Sequence, residues 1–302
     1  MDLAYWGFRS WPFDRSSPAA RNFISQAEEE AMSRLLFLVE EFRRCGVIIG
    51  PAGTGKTLLL KSLESQAERL ARVVVRCDAM GQDCNDLLSQ VALALHAVRD
   101  ANASTATVWN SLKTKFAALA LVRQPLVLLI DHLTTTDPGG ALAVRRLDQL
   151  ANLTGLKLTM ALVLSEEEIP AGLREMIDLR IDLAHWTLSE THQFIRWATM
   201  GAGSTKPLFA DSAMTAIHRI TQGVPVRVVS VCNLCLLAAQ ARDESFVTSE
   251  IAEAVADEWN RIPHSATSTK RGLSSASTPR AFGHPNGFSG ASHGRPMTAR
   301  RA

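Results

Sequence analysis

The sequence predicts an α/β chain: a parallel sheet flanked by helices, then a small all-helical lid domain, then a disordered C-terminal tail. Three observations predict it. The runs Val47–Ile49, Val73–Val75 and Leu126–Ile130 are apolar throughout, Leu158–Leu164 is apolar but for Thr159, and all four alternate with helical patterns. Strands without a polar face are buried on both sides, as in a parallel sheet covered by helices. From Thr187 the pattern becomes all-helical, and from Arg261 the chain turns to Ser, Gly, Pro, Ala and Thr with few large apolar residues. Such a segment cannot offset its ordering entropy by burial. The expected domains are an aromatic segment and helix packing on the core (1–45), the α/β domain (46–185), the helical lid (186–260) and the tail (261–302).

In chain order, Tyr5, Trp6, Phe8, Trp11 and Phe13 come first. Five aromatics in nine residues fold back over their own domain or form a partner-binding patch, and the first reading is preferred. Glu28-Glu29-Glu30 start a helix whose apolar residues Met32, Leu35, Leu36 and Val39 recur at helical spacing. Strand Val47–Ile49 then runs into Gly50-Pro51-Ala52-Gly53-Thr54-Gly55-Lys56-Thr57, and a helix carrying Leu59, Leu60, Leu63 and Leu70 follows. This is the strand–loop–helix setting of a P-loop. Three glycines and a proline keep bulk out of the turn. Backbone N–H groups can therefore converge on phosphate oxygens at the positive end of the helix. Lys56 is expected to reach the β- and γ-phosphates, and the Thr57 hydroxyl to hold Mg²⁺. The octamer implies a bound nucleoside triphosphate.

Helices around Asn85–Val98 and Thr105–Leu121 lead to strand Leu126–Ile130, which ends in Asp131. An aspartate there can simply cap a strand end. About seventy-five residues after a P-loop, it is instead expected to orient the magnesium water shell opposite Thr57. A helix near Ala141–Ala151, strand Leu158–Leu164 and a short strand around Arg180–Leu183 complete the sheet. Ligand then sits at the carboxyl ends of the strands. Ser165, after one of these ends, is a γ-phosphate sensor or a turn cap, with neither favoured. In the lid, Thr187 and Glu190 make a capping box, and Gly223 stops the helix of Ala213, Ile217 and Ile220. Pro225 opens a third helix to Ala241, and a fourth spans about Ser249–Trp259.

The formal net charge of +2 hides an asymmetry. Residues 261–302 carry seven Lys/Arg and no acid, which leaves 25 basic against 30 acidic residues before them. The tail is a solvated extension or an electrostatic arm for nucleic acid, anionic lipid or an acidic partner. Five cysteines without framework spacing fit a reducing cytoplasm. Cys232 and Cys235 form a C-x-x-C inside an apolar helical pattern and are read as core rather than as zinc ligands or a redox pair. No signal-peptide pattern opens the chain, and no stretch reaches the ~20 apolar residues of a membrane span. A soluble protein is expected.

These features together resemble AAA+ ATPases, specifically the ExeA/GspA-type ATPases of the general secretion pathway. The likeness begins at Tyr5-Trp6-Gly7-Phe8 with Pro12-Phe13 and continues through Ala31-Met32-Ser33-Arg34-Leu35-Leu36, the P-loop, Asp131 and Val144–Leu153. It reaches Leu188-Ser189-Glu190-Thr191 and Gly223-Val224-Pro225 in the lid, covering about residues 1–260. The resemblance implies an AAA+ P-loop NTPase with ATP and Mg²⁺ as ligands, homo-oligomerisation, and a secretion-machinery partner at the inner membrane. A cytoplasmic place, peripheral to that membrane, goes with it.

Three positions depart from the family pattern. His132 stands where the family usually has the glutamate that polarises the attacking water; histidine can accept a proton, but differs from a carboxylate in reach and charge. Glu175-Met176 aligns with a Gln-Arg pair that resembles an arginine finger, and Arg174 and Arg180 lie close enough in sequence to substitute. In the lid, Gly-x-Pro-Arg becomes Gly223-Val224-Pro225-Val226, with Arg227 one place late, a rotation of ~100° on a helix. ATP binding is therefore expected with slow or partner-dependent hydrolysis. Two alternatives stay open: a DNA-transaction AAA+ protein of the MuB/TniB transposition type, and a pseudo-ATPase adaptor.

Overall fold

In a computed structural model, residues 2–14, 23–100, 102–136, 138–164 and 168–261 are described. The expectations for Ser165 and for the tail beyond Arg261 lie outside them. A short helix α1 (Leu3–Trp6) precedes α2 (Gln26–Glu40), β1 (Cys45–Ile49), α3 (Lys56–Arg69) and β2 (Val73–Asp78). Then come α4 (Cys84–Ala94), α5 (Thr105–Leu121), β3 (Leu126–Leu133), α6 (Pro138–Thr154) and β4 (Leu158–Leu164). A 3₁₀ turn (Ala171–Met176) leads to β5 (Leu179–Asp182), followed by α7 (Leu188–Gly201), α8 (Asp211–Thr221), α9 (Pro225–Ala241) and α10 (Ser249–Arg261).

The five strands form one parallel sheet in the order β2-β3-β4-β1-β5. Every residue of β1 and β4 is buried, which is why their sequences show no alternation. On one face, Val47, Ile49, Leu128, Ile130 and Leu162 pack with α4, α5 and α6. On the other, Ile48, Val127, Leu129 and Val163 pack with Ala31, Leu35 and Val39 of α2 and Leu60 and Leu63 of α3. The chain reverses between β1 and β4 in this order, so the carboxyl ends of β1, β3 and β4 converge beside the P-loop.

The aromatic opening does not lie on the sheet. Trp6, Phe8 and Phe13 join the core of the four C-terminal helices, with Trp186, Phe194, Ile217, Val231 and Leu236. Phe13 meets Phe194 and Phe209 with ring centroids 6.0 and 5.9 Å apart. The Trp11 indole N–H donates to Asn233 Oδ1, and Asn233 Nδ2 donates to the Phe13 carbonyl at 3.3 Å. Asn233, a polar break in the apolar pattern of α9, thus ties the segment down together with the Arg9 N–H, which donates to the Ala202 carbonyl at 2.7 Å. Of the described residues before β1, those of α2 pack on the sheet.

All five cysteines are buried thiols. Burial pushes Cys45, Cys77 and Cys235 up to about 12, and raises Cys232 and Cys84 in the same direction. The thiolate is the reactive form. A chromogenic disulfide reagent at pH 8 is therefore expected to titrate five thiols only in denaturant, with less than one per folded chain reacting quickly. Rapid native reaction at Cys232 or Cys235 would reverse their assignment to the core.

Candidate nucleotide site

Gly50 follows β1 directly, and a Cβ there would lie 2.5 Å from the Leu183 carbonyl oxygen at the end of β5. The turn can pass this backbone only without a side chain. Gly53 and Gly55 have φ of +85° and +98°, in the left-handed region. Thr54 is buried, and its hydroxyl donates to the Pro51 carbonyl at 2.9 Å, closing the loop on itself. Pro51 and Ala52 are exposed at its crest.

Gly55 is the N-cap of α3 and provides no side-chain cap. The first-turn N–H groups of a fourteen-residue helix are thus left for a ligand or water. Lys56, the first helical residue, bends its ammonium back to the Gly50 and Pro51 carbonyls at 2.5 and 3.0 Å. Burial lowers its pKa, and the Asp131 carboxylate acts against that shift. Asp131 is therefore close enough to be felt by the ammonium across the sheet end. An uncapped helix start and a half-buried cation held by neutral carbonyls fit a polyphosphate anion.

Asp131 is 3% exposed, and one of its oxygens accepts the His132 backbone N–H at 2.9 Å. Thr57 is half-buried. No group of three or more His, Cys, Asp or Glu that could hold a metal occurs among the described residues. A hydroxyl and one carboxylate suit Mg²⁺, which keeps several waters and takes the rest of its ligands from phosphate.

The strand containing Asp131 continues to Leu133 with a register shift between Ile130 and Leu133, and His132 has φ +55°. This irregularity turns the imidazole toward β2, where Nδ1 lies 3.1 Å from Asp78 Oδ1. The other divergent positions take equally definite places. Met176 is buried in the sheet core, so it presents nothing outward. Arg180 forks onto Asp182 of its own strand, and Arg174 is exposed with Nε directed to the Ile169 carbonyl at 3.4 Å.

The lid meets the P-loop through aliphatic side chains. A Cβ at Gly53 would touch Val226 at 3.0 Å and Val224 at 3.1 Å, and Val226 N–H donates to the Gly53 carbonyl at 3.4 Å. Arg227 is half-buried, with no hydrogen bond or ion pair to its guanidinium among the described residues. Opposite Val226, Glu28 of α2 places Oε1 3.1 Å from where a Gly55 Cβ would stand. Burial raises the Glu28 pKa; its bonds with Ser25 work the other way. The sequence reading made Glu28 a helix start and passed over Asp78, and it placed neither at the site. The signal for Asp78 was present, since Val73-Val74-Val75-Arg76-Cys77-Asp78 ends in an acid as the next strand does.

Residues 39–168 match the family described as AAA domain. The chain is similar to that family over this stretch, which is less than half of its length. Its P-loop NTPase (AAA+) fold is shared with Cdc6p from Pyrobaculum aerophilum, at a TM-score of 0.64 and 16% identity over 85% of this chain and 71% of that one. The Aeropyrum pernix Orc1 protein, solved in complex with DNA, gives 0.62 and 17% over 84% and 70%. The RuvB Holliday junction branch migration motor of Thermotoga maritima gives 0.53 and 16% over 82% and 74%. In sequence, the chain is similar to general secretion pathway protein A of Aeromonas hydrophila. The two are 24% identical over 255 residues, 80% of this chain and 45% of the relative. The chain thus spans less than half of that relative's length. No helix among the described residues is long and apolar enough to cross a membrane.

Proposed function

We propose that this chain binds Mg-ATP and hydrolyses it slowly or on the prompting of a partner, as a relative of the secretion-pathway AAA+ ATPases. The observation that carries the reading is the Lys56 ammonium. It sits half-buried in a loop of neutral carbonyls at an uncapped helix start, and Asp131 acts on it from the end of β3, with β4 between the two strands. In this reading the N–H groups of Gly53, Thr54, Gly55 and Lys56 surround the phosphates, and Lys56 turns from the carbonyls to the β- and γ-phosphates. Thr57 and Asp131 are the residues that would hold Mg²⁺, which neutralises phosphate charge when bound. His132 accepts the proton of the attacking water, and the absence of a carboxylate there accounts for slow turnover.

The lid, residues 186–260, rests on the P-loop through Val224 and Val226. We place nucleotide-dependent movement at this contact, since phosphate entering beneath Gly53 alters what Val226 can touch. Arg227, half-buried one residue later, is the lid cation available to the nucleotide. The likeness to protein A of the general secretion pathway supports a secretion-machinery partner, and the proposal extends to homo-oligomerisation and to a place at the inner membrane.

The test is phosphate release from Mg-ATP by the purified chain. His132→Ala is expected to lower turnover by ~10-fold or more while ATP affinity stays within about twofold, because a proton acceptor acts after binding. Equal turnover in the two proteins would remove His132 from the chemistry.

A further inference from the structure

The contact between His132 and Asp78 joins two strand ends that no sequence motif links. Asp78 is the last residue of β2, in register with Asp131 of β3. It is exposed, yet firmly held: its Oδ1 accepts the Met80 N–H at 2.9 Å. Its backbone exchanges hydrogen bonds with the Gln90 amide at 3.4 and 3.3 Å. The Ala79 N–H donates to the Asp131 carbonyl at 2.9 Å, locking the two strand ends together. His132 is held from its own side by the bond of its N–H to Asp131 and by the positive φ of the bulge. The two side chains then meet at 3.1 Å through Nδ1.

We propose that Asp78 is a positioning residue for hydrolysis: it fixes the tautomer and ring orientation of His132 so that Nε2 is the free acceptor. A carboxylate oxygen only accepts, so the imidazole donates from Nδ1 and keeps its lone pair on Nε2. A free neutral imidazole favours the opposite tautomer, with the proton on Nε2, so the carboxylate has something to change. The same arrangement, a carboxylate holding one ring nitrogen while the other takes a proton, orients the general base of Ser-His-Asp triads. Here it gives a histidine, in a place where a carboxylate would need no such partner, a defined acceptor. In the step it serves, the water oxygen bonds to the γ-phosphorus while the bond from phosphorus to the β–γ bridging oxygen breaks. The water proton passes to Nε2, and ADP leaves with the bridging electron pair.

This inference rests on the hydrolysis reading above, and two measurements separate them. The first needs no nucleotide: ¹⁵N NMR of the His132 ring in the purified chain. The wild type is expected to show the Nδ1–H form, Asp78→Ala to shift toward Nε2–H, and Asp78→Asn, whose amide oxygen still accepts, to keep Nδ1–H. The second is steady-state ATP turnover. Asp78→Ala is expected to lower kcat by ~10-fold or more with KM within about twofold, and Asp78→Asn to recover part of the loss. A wild-type ring protonated at Nε2, or an unchanged tautomer in Asp78→Ala, overturns the positioning role whatever the turnover. A kcat that is unchanged, or that moves only together with KM, overturns it as well. A wild-type chain with the expected tautomer but no phosphate release overturns the hydrolysis reading, and Asp78 then positions nothing for it.

Discussion

Lys56→Ala is expected to abolish the stabilisation of the folded chain by Mg-ATP. A ligand that binds only the folded state stabilises it by RT ln(1 + [L]/Kd), about 2.7 kcal/mol at a hundredfold excess over Kd. Near a protein surface, unit charges 4 Å apart interact by about 4 kcal/mol, and Lys56 is the P-loop's own cation. Its removal is expected to weaken ATP binding by ~100-fold or more, which erases the shift in Tm at millimolar nucleotide. The fold itself should stay. The ammonium is half-buried and bonds to two carbonyls that water can reach once it is gone, and alanine is the best helix former for the first turn of α3. A thermal melt with and without Mg-ATP reads both effects. An undiminished shift in the variant would remove the P-loop assignment.

Phe13→Ala is expected to destabilise the chain by about 3–5 kcal/mol, the range for deleting a fully buried phenylalanine. Phe13 is 1% exposed and inserts between Phe194 of α7 and Phe209, beyond a segment that the sequence assigns to no regular element. Its loss leaves a cavity among helices that cannot close without unseating Trp11 from Asn233. The comparison is Ile24→Ala, at a side chain 66% exposed, where a change within about 0.5 kcal/mol is expected. Urea unfolding of the two variants decides. A loss below 1 kcal/mol at Phe13 would mean that the aromatic opening is peripheral to the helical unit.

The sheet was legible in the sequence because its strands are buried on both faces, and burial writes itself as a nearly unbroken apolar run. Leu158–Leu164 was read to the residue. Val73–Val75 was read three residues short, because Arg76 and Asp78 face outward at the end of β2 and break the run. That shortfall hid Asp78, and with it the partner of His132. The helix signals were chemical as well as periodic, and the chemical ones at Thr187 and Pro225 held. The Thr187–Glu190 capping box is formed, and Pro225 does open α9.

What the sequence could not convey was long-range packing. Nothing local says that residues 6–13 pack on helices some two hundred positions later, or that one asparagine in α9 helps anchor them. Nor does spacing place Val226, rather than an arginine, against Gly53. The P-loop was legible as a motif because two of its glycines answer to local geometry, the positive φ at Gly53 and Gly55, although the close carbonyl that Gly50 must clear is a distant one, that of Leu183. The position of Glu28 beside Gly55 was not, since a capping residue and a site neighbour have the same sequence signature.

One measurement bears most directly on the proposed site: calorimetric titration of the purified wild-type chain with ATP, in Mg²⁺ and again in excess EDTA. The expected result is one saturable site per chain in Mg²⁺, with affinity falling when the metal is removed. A flat titration in Mg²⁺, from protein that melts cooperatively, would contradict it.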